Sequence, residues 1–244
     1  MAIYEKNRSM ENTKKYLLII PMADGRFFFE RNFSEIIQIT DSDILIVNDN
    51  SDDWTSEKIQ ETDGIISIRH EFPLGYGTSF IHGYEYGRDM GYEFLIYLNP
   101  NNEQLKTDVE QMIAHINYGY DIVSCSRILE NHDAALIEPA HINMMETLSG
   151  ALLEASGLDI TDPVSGILAV QTKILESMEL TDETHGVLLQ LWIQAAYMQM
   201  TCFEVPSNSG TSFGMEFQDY EDPMEDLLST LETEKYLYPR RDIN

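Results

Sequence analysis

Short, almost unbroken apolar runs recur along the first half of the chain. Each is stopped by a polar residue or a proline, and each is followed by a stretch long enough for one helix. Residues 16–21 read YLLIIP, 43–48 read DILIVN, 64–70 read GIISIRH, 94–99 read FLIYLN and 120–125 read YDIVSC. Runs this short, without polar alternation, fit strands covered on both faces. Between them, residues 27–39, 54–60, 76–90 and 107–118 read as helices, the last two stopped by Gly91 and Gly119. Strands that alternate with single helices predict an α/β fold: a three-layer sandwich around a mostly parallel central sheet.

The second half is less regular. Residues 139–156 read as a helix ended by Gly157, and 164–170 as a short strand or loop. Residues 184–199 form a strong helical pattern, with Leu188, Leu191, Trp192, Ala195 and Ala196 on one stripe. A strand at 201–205 ends at Pro206, and 224–231 is amphipathic within an otherwise polar, acidic stretch. The expected organisation is a polar extension over 1–15, one domain over 16–206, and an acidic tail over 207–244 with a short helix. The apolar stripe of that helix (Leu227, Leu228, Leu231) packs on its own domain or serves a partner; the first is the simpler reading.

Charge narrows the function classes. The chain carries 15 Lys+Arg against 42 Asp+Glu, a formal net charge of −27, yet 43% of its residues are hydrophobic, enough for a sizeable core. Such an excess of negative charge argues against a nucleic-acid binder and against docking on anionic lipid through a basic patch. No apolar run approaches the ~20 residues that span a bilayer. Two cysteines, Cys125 and Cys202, make neither a disulfide framework nor a zinc site, and buried thiols in a reducing compartment are the plain reading. The sequence therefore points to a cytoplasmic protein without a transmembrane segment.

In an open parallel sheet, ligands gather beyond the carboxyl ends of the strands. Residues just after each run are thus the ones to read. Asp49, in Asn48-Asp49-Asn50-Ser51, either accepts from a base or ribose or caps the helix that begins near Trp54. Gly75-Tyr76-Gly77 sits at a helix start, where backbone N–H groups favour anions. It is neither a GxGxxG fingerprint nor a Walker loop, so a plain turn stands beside that reading. The six histidines show no HxxxH spacing, and no GxSxG elbow occurs.

The ordered set NDNS, PLGYGTSFIHG, FLIYLNPNN, DIVSCSR, TDPVSG and FEVP resembles the family 2 glycosyltransferases of GT-A fold, the nucleotide-diphospho-sugar transferase-like sandwich. Among them it is most similar to dolichyl-phosphate mannose synthases and related polyprenyl-phosphate sugar transferases. The resemblance covers about 16–206. It implies transfer of a sugar from a nucleotide-sugar to a polyprenyl phosphate or similar acceptor, with Mg²⁺ or Mn²⁺ on the diphosphate. It also implies nucleotide or substrate contacts at Pro21, Asp49, Ser51, Gly75, Gly77 and Arg127, and catalytic positions at Asp162 and Gln190.

The carry-over also shows departures. The family's Asp-x-Asp metal motif falls on Asn99-Pro100-Asn101, so two carboxylates have become amides. At an effective dielectric of about 20, each unit-charge pair ~4 Å apart is worth roughly 4 kcal/mol, so the metal site is weakened unless Glu103 or Asp49 compensates. The late-helix acid falls on Trp192 in Gln190-Leu191-Trp192, and no cation follows FEVP over 207–212. Either the chain is a sugar transferase with a weak metal or none, or it is a non-catalytic GT-A domain that binds, regulates or scaffolds. Its oligomeric state is not encoded in any of these features.

Overall fold

A computed structural model of the chain describes residues 3–5, 15–39, 41–51, 54–102, 105–129, 139–207 and 223–240. Its centre is one sheet built from β1 (Ile3–Glu5), β2 (Tyr16–Met22), β3 (Ser42–Asn48), β4 (Ile65–Arg69), β5 (Phe94–Tyr97), β6 (Ile122–Ser126), β7 (Leu168–Gln171) and β8 (Cys202–Pro206). Their order across the sheet is β1-β4-β3-β2-β5-β7-β6-β8. The pairs β2–β3, β3–β4, β2–β5 and β6–β8 are parallel. Strand β7 runs antiparallel to both β5 and β6, and β1 antiparallel to β4. The order turns back on itself at β2, which lies between β3 and β5. That is the switch point at which open sheets of this kind form a crevice.

Strand alternation divides the core into two halves. Leu17 and Ile19 face one apolar cluster with Leu45, Val47, Leu95 and Tyr97; Leu18 and Ile20 face a second with Ile44, Ile46 and Ile96. Every residue of β2 and β3 is buried, which is why those runs carry no polar alternation. Helix α4 (Leu105–Tyr118) covers the second cluster through Leu105, Val109, Met112 and Ile116. Helices α3 (Tyr76–Asp89), α5 (Pro139–Ser156) and α7 (Gly186–Tyr197) cover the first.

The expected single helix over 27–39 is instead a π-helical turn, Phe28–Asn32, running into the one-turn α1, Phe33–Ile36. The wide turn buries both Phe28 and Asn32, and the Asn32 amide donates to the Asn102 carbonyl at 2.8 Å. Helix α2 (Thr55–Glu61) follows β3 as expected. After β7 comes a single turn, α6 (Thr172–Leu175).

Both ends of the chain contribute to the domain. Strand β1, within the expected polar extension, pairs with β4. Helix α8 (Pro223–Leu237), longer than the 224–231 stretch seen in the sequence, packs on α5 and α7. Leu227 and Leu231 lie in the first core cluster, so the apolar stripe of the tail packs on its own domain. Covered by α5 and α8 as well as by the sheet, α7 is buried on all sides from Gly186 to Ala195 rather than along one stripe. No helix among the described residues is long and apolar enough to cross a membrane.

Candidate functional site

The carboxyl ends of β2, β3 and β4 converge on one acidic side chain. The parallel register sets Asn48 of β3 beside Arg69 of β4, so the residues that follow, Asp49 and His70, are neighbours. His70 Nδ1 lies 2.6 Å from Asp49 Oδ1. The main-chain N–H of Leu74 donates to the same oxygen at 2.8 Å, and that of Gly75 to Oδ2 at 2.9 Å. His70 Nε2 meets His82 Nδ1 of α3 at 2.9 Å. With Asp49 ionised, His70 donates to it from Nδ1, and the His70–His82 contact links that pair to α3. Burial opposes ionisation of Asp49. The bonds from His70, Leu74 and Gly75 outweigh it and hold the carboxyl below its usual range. Burial, and then the charge His70 can carry, lower the affinity of His82 for a proton.

Asp49 therefore does not cap α2, whose N-cap, Trp54, makes no side-chain bond. Asn48 organises that turn. Its Oδ1 accepts from the Ser51 N–H at 2.9 Å and the Ser51 hydroxyl at 2.7 Å, and its Nδ2 donates to Ser56 Oγ at 2.9 Å. Ser51 is thereby turned inward, and Asn50 takes a left-handed conformation with φ +58°. Pro21 sits inside β2, buried and paired in register with Val47.

Gly75 and Gly77 lie against the segment that precedes α7. Gly75 has φ +91°, a conformation that favours glycine. The Gly77 N–H donates to the Glu183 carbonyl at 2.9 Å. A Cβ at Gly77 would collide with the carbonyls of Asp182 and Thr184, and one at Gly75 with that of Glu183. The 182–184 segment thus packs directly on the start of α3. Behind it, the His185 ring stacks on Tyr76 at 4.2 Å and 9°.

Asn99 and Asn101 lie in the turn after β5. Asn99 is buried, and its Oδ1 accepts the Asn101 N–H at 3.0 Å. Among the described residues, no group of three or more His, Cys, Asp or Glu side chains is arranged to hold a metal ion. Glu103, the other expected compensating acid, lies outside the described residues. The described donors at the motif are amide oxygens, one already engaged, which match a divalent cation less well than the carboxylates it favours.

Arg127 and Asp162 meet each other. Arg127 Nε donates to Asp162 Oδ2 at 2.7 Å and Nη2 to Oδ1 at 2.9 Å, a bidentate pair with side chains 2% and 0% exposed. The Arg127 N–H adds a third bond to Oδ2 at 3.1 Å. Glu204 of β8 shapes the turn from below, accepting from the N–H groups of Thr161 at 2.7 Å and Asp162 at 3.2 Å. Burial raises the proton affinity of Glu204 and these two N–H groups oppose the rise. Gln190 of α7 meets the segment that packs on Gly75 and Gly77. Its Oε1 accepts the N–H groups of Thr181 and Asp182 at 2.8 and 2.9 Å, and its Nε2 donates to Glu234 of α8 at 2.9 Å.

The strand-end rule points to Asp49 and to His70, whereas the contacts of His82, Glu204 and Glu234 come from the structure alone. His82 and Glu234 depend on helix placement that spacing does not carry.

Comparison with known proteins agrees with this architecture. A dolichol-phosphate mannosyltransferase of Pyrococcus furiosus is 26% identical over 209 residues, 80% of this chain; the match spans just 56% of that relative's length. Glucosyl-3-phosphoglycerate synthase of Mycobacterium tuberculosis, solved with Mn²⁺, UDP and phosphoglyceric acid, superposes with a TM-score of 0.70 at 14% identity, covering 91% of this chain and 78% of that one. The mannosyltransferase PcManGT of Pyrobaculum calidifontis, solved with GDP-Man and Mn²⁺, gives 0.54 at 12% identity, covering 84% of this chain and 58% of that one. Both share the GT-A fold. The profile of Glycosyl transferase family 2 matches residues 19–178, well over half of the sequence, and the chain belongs to that family.

Proposed function

We propose that the chain binds a nucleotide-sugar in the crevice at the switch point, between the ends of β2, β3 and β5, and transfers the sugar to a polyprenyl phosphate or similar phosphate acceptor. The observation that carries this reading is Asp49: an ionised carboxylate, fixed by three donors at the end of β3 yet still 12% exposed, where a base or ribose would lie. Family membership and the sugar-nucleotide complexes of the fold neighbours support it. The domain over 16–206 would carry the activity, with β1 and α8 as its supports. Asn99 faces the diphosphate in this reading and Ser51 shapes the turn beneath the nucleoside. Divalent metal, present in the neighbours' complexes, contributes weakly here because the Asp-x-Asp pair is absent.

A phosphate acceptor carries its own nucleophilic oxygen, so no general base is required. That suits a site in which Asp162 is bound to Arg127 and Gln190 to Glu234. Free thiols at Cys125 and Cys202 suit a cytoplasmic setting. The same engagement of Asp162, Arg127 and Gln190 favours a second reading, a GT-A domain that binds nucleotide-sugar without turning it over. Calorimetry with UDP- and GDP-sugars, with and without Mn²⁺, and a transfer assay on a short polyprenyl phosphate separate the two. Binding with transfer supports the first reading and binding without transfer the second; absence of binding to either nucleotide overturns both. Asn99→Asp together with Asn101→Asp should raise Mn²⁺ affinity; if it does not, the metal position has been misplaced.

A further inference from the structure

Helix α8 carries a buried carboxylate that the proposed transfer does not use. Glu234 is 3% exposed. Two amides of α7 hold it: Gln190 Nε2 donates to Oε1 at 2.9 Å and Gln194 Nε2 to Oε2 at 3.1 Å. If packing alone were at stake, an apolar side chain would serve here without desolvating a charge. What the carboxylate adds is orientation of the two amides. The other ends of those amides grip one segment. Gln190 Oε1 takes the N–H groups of Thr181 and Asp182, and Gln194 Oε1 takes that of Glu179 at 2.8 Å. A second residue of α8 joins in: Thr230 Oγ1 donates to Asp182 Oδ2 at 2.8 Å, while Asp182 Oδ1 accepts from the Thr184 N–H at 2.7 Å.

The far side of this segment is the wall behind the 75–77 turn. Glu183 accepts the Gly77 N–H, and the carbonyls of Asp182, Glu183 and Thr184 approach Gly75 and Gly77 too closely for any Cβ. The Gly75 N–H in turn donates to Asp49 Oδ2. A continuous path of hydrogen bonds and backbone contacts therefore runs from α8 through 179–184 and 75–77 to Asp49.

We propose that Glu234 and Thr230 are positioning residues for the nucleoside end of the site: by fixing the 179–184 wall they fix the 75–77 turn, and with it the Asp49 carboxylate. The inference rests on the reading of Asp49 as a nucleoside contact. Its test has one arm that does not depend on a ligand. In the full chain, amide hydrogen exchange is followed by NMR in Glu234→Ala, Glu234→Gln and Thr230→Val, with Leu228→Ala as a control that loosens α8 without touching the polar path. Exchange at Leu74, Gly75 and Gly77, relative to the amides of β2 and β3, should rise about tenfold in Glu234→Ala and Thr230→Val, the scale of one lost hydrogen bond. It should rise less in Glu234→Gln, which keeps one acceptor oxygen, and stay unchanged in Leu228→Ala. UDP or GDP affinity, measured by calorimetry, should fall by a similar factor in the same order. Unchanged relative exchange at 74–77 in folded Thr230→Val and Glu234→Gln overturns the proposal, and so does an equal rise in Leu228→Ala. Faster exchange in a protein that never binds nucleotide supports the coupling and instead overturns the nucleoside reading of Asp49.

Discussion

His185 should make this protein acid-labile in a way that one substitution removes. Its ring is 6% exposed, stacked flat on Tyr76, and within the field of Arg127. Burial, then the guanidinium, push its pKa from 6.5 down to about 3, against a small opposing pull from Asp182. The folded chain therefore stays neutral at His185 across the range in which the unfolded chain takes up a proton. Its contribution is intact above pH 6.5 and is lost as pH falls from there toward 3. At 1.36 kcal/mol per pH unit, a drop to pH 5 costs about 2 kcal/mol, a substantial part of the 5–15 kcal/mol typical of a domain. The assay is urea unfolding at pH 7.5 and 5.0 for the wild type and for His185→Phe, which keeps a flat ring against Tyr76 and does not titrate. Subtracting the two pH dependences removes the background of the 42 acidic residues, whose mutual repulsion also changes with pH. The wild type should lose about 2 kcal/mol more than the variant. Equal losses would refute both the buried neutral imidazole and its cause.

Three further outcomes follow from the packing. Asp162→Asn leaves the Arg127 guanidinium buried against a neutral partner and should cost about 3–5 kcal/mol in chemical denaturation. Gly77→Ala should destabilise by about 1–3 kcal/mol, because its Cβ meets backbone carbonyls that cannot rotate away. Gly150→Ala in α5, where nothing lies within 4 Å, should stabilise by about 0.5–1 kcal/mol. The pair of shifts, opposite in sign, is read from thermal melts.

The sheet was legible because its strands are covered on both faces. Runs such as Leu17-Leu18-Ile19-Ile20 have no solvent side to encode, so their bounds stand out from the amphipathic helices between them. Asp49 was legible because a strand end in a parallel sheet is a place, not only a residue type. Its partners were less so. His70 required the β3–β4 register, and His82 required the angle at which α3 returns over the sheet. Gln190 was legible only as a motif position: its bond to a carboxylate 44 residues downstream is a long-range contact that spacing does not carry. The π-helical turn was hidden for a related reason. Phe29 and Phe33, four apart, suit an ordinary helix, and the docking of Asn32 on Asn102 that accompanies the wider ring is a contact 70 residues away that spacing does not carry.

Strand β1 protects a margin that would otherwise be adhesive. The outer rim of β4 is a row of amide donors and carbonyls, and Ile3–Glu5 satisfies it from the opposite direction. Clipping those few residues would bare that rim to any extended segment nearby, including the same rim of a second molecule. Proteolysis at the amino terminus would then surface first as self-association, before any change at the crevice beyond the strand ends.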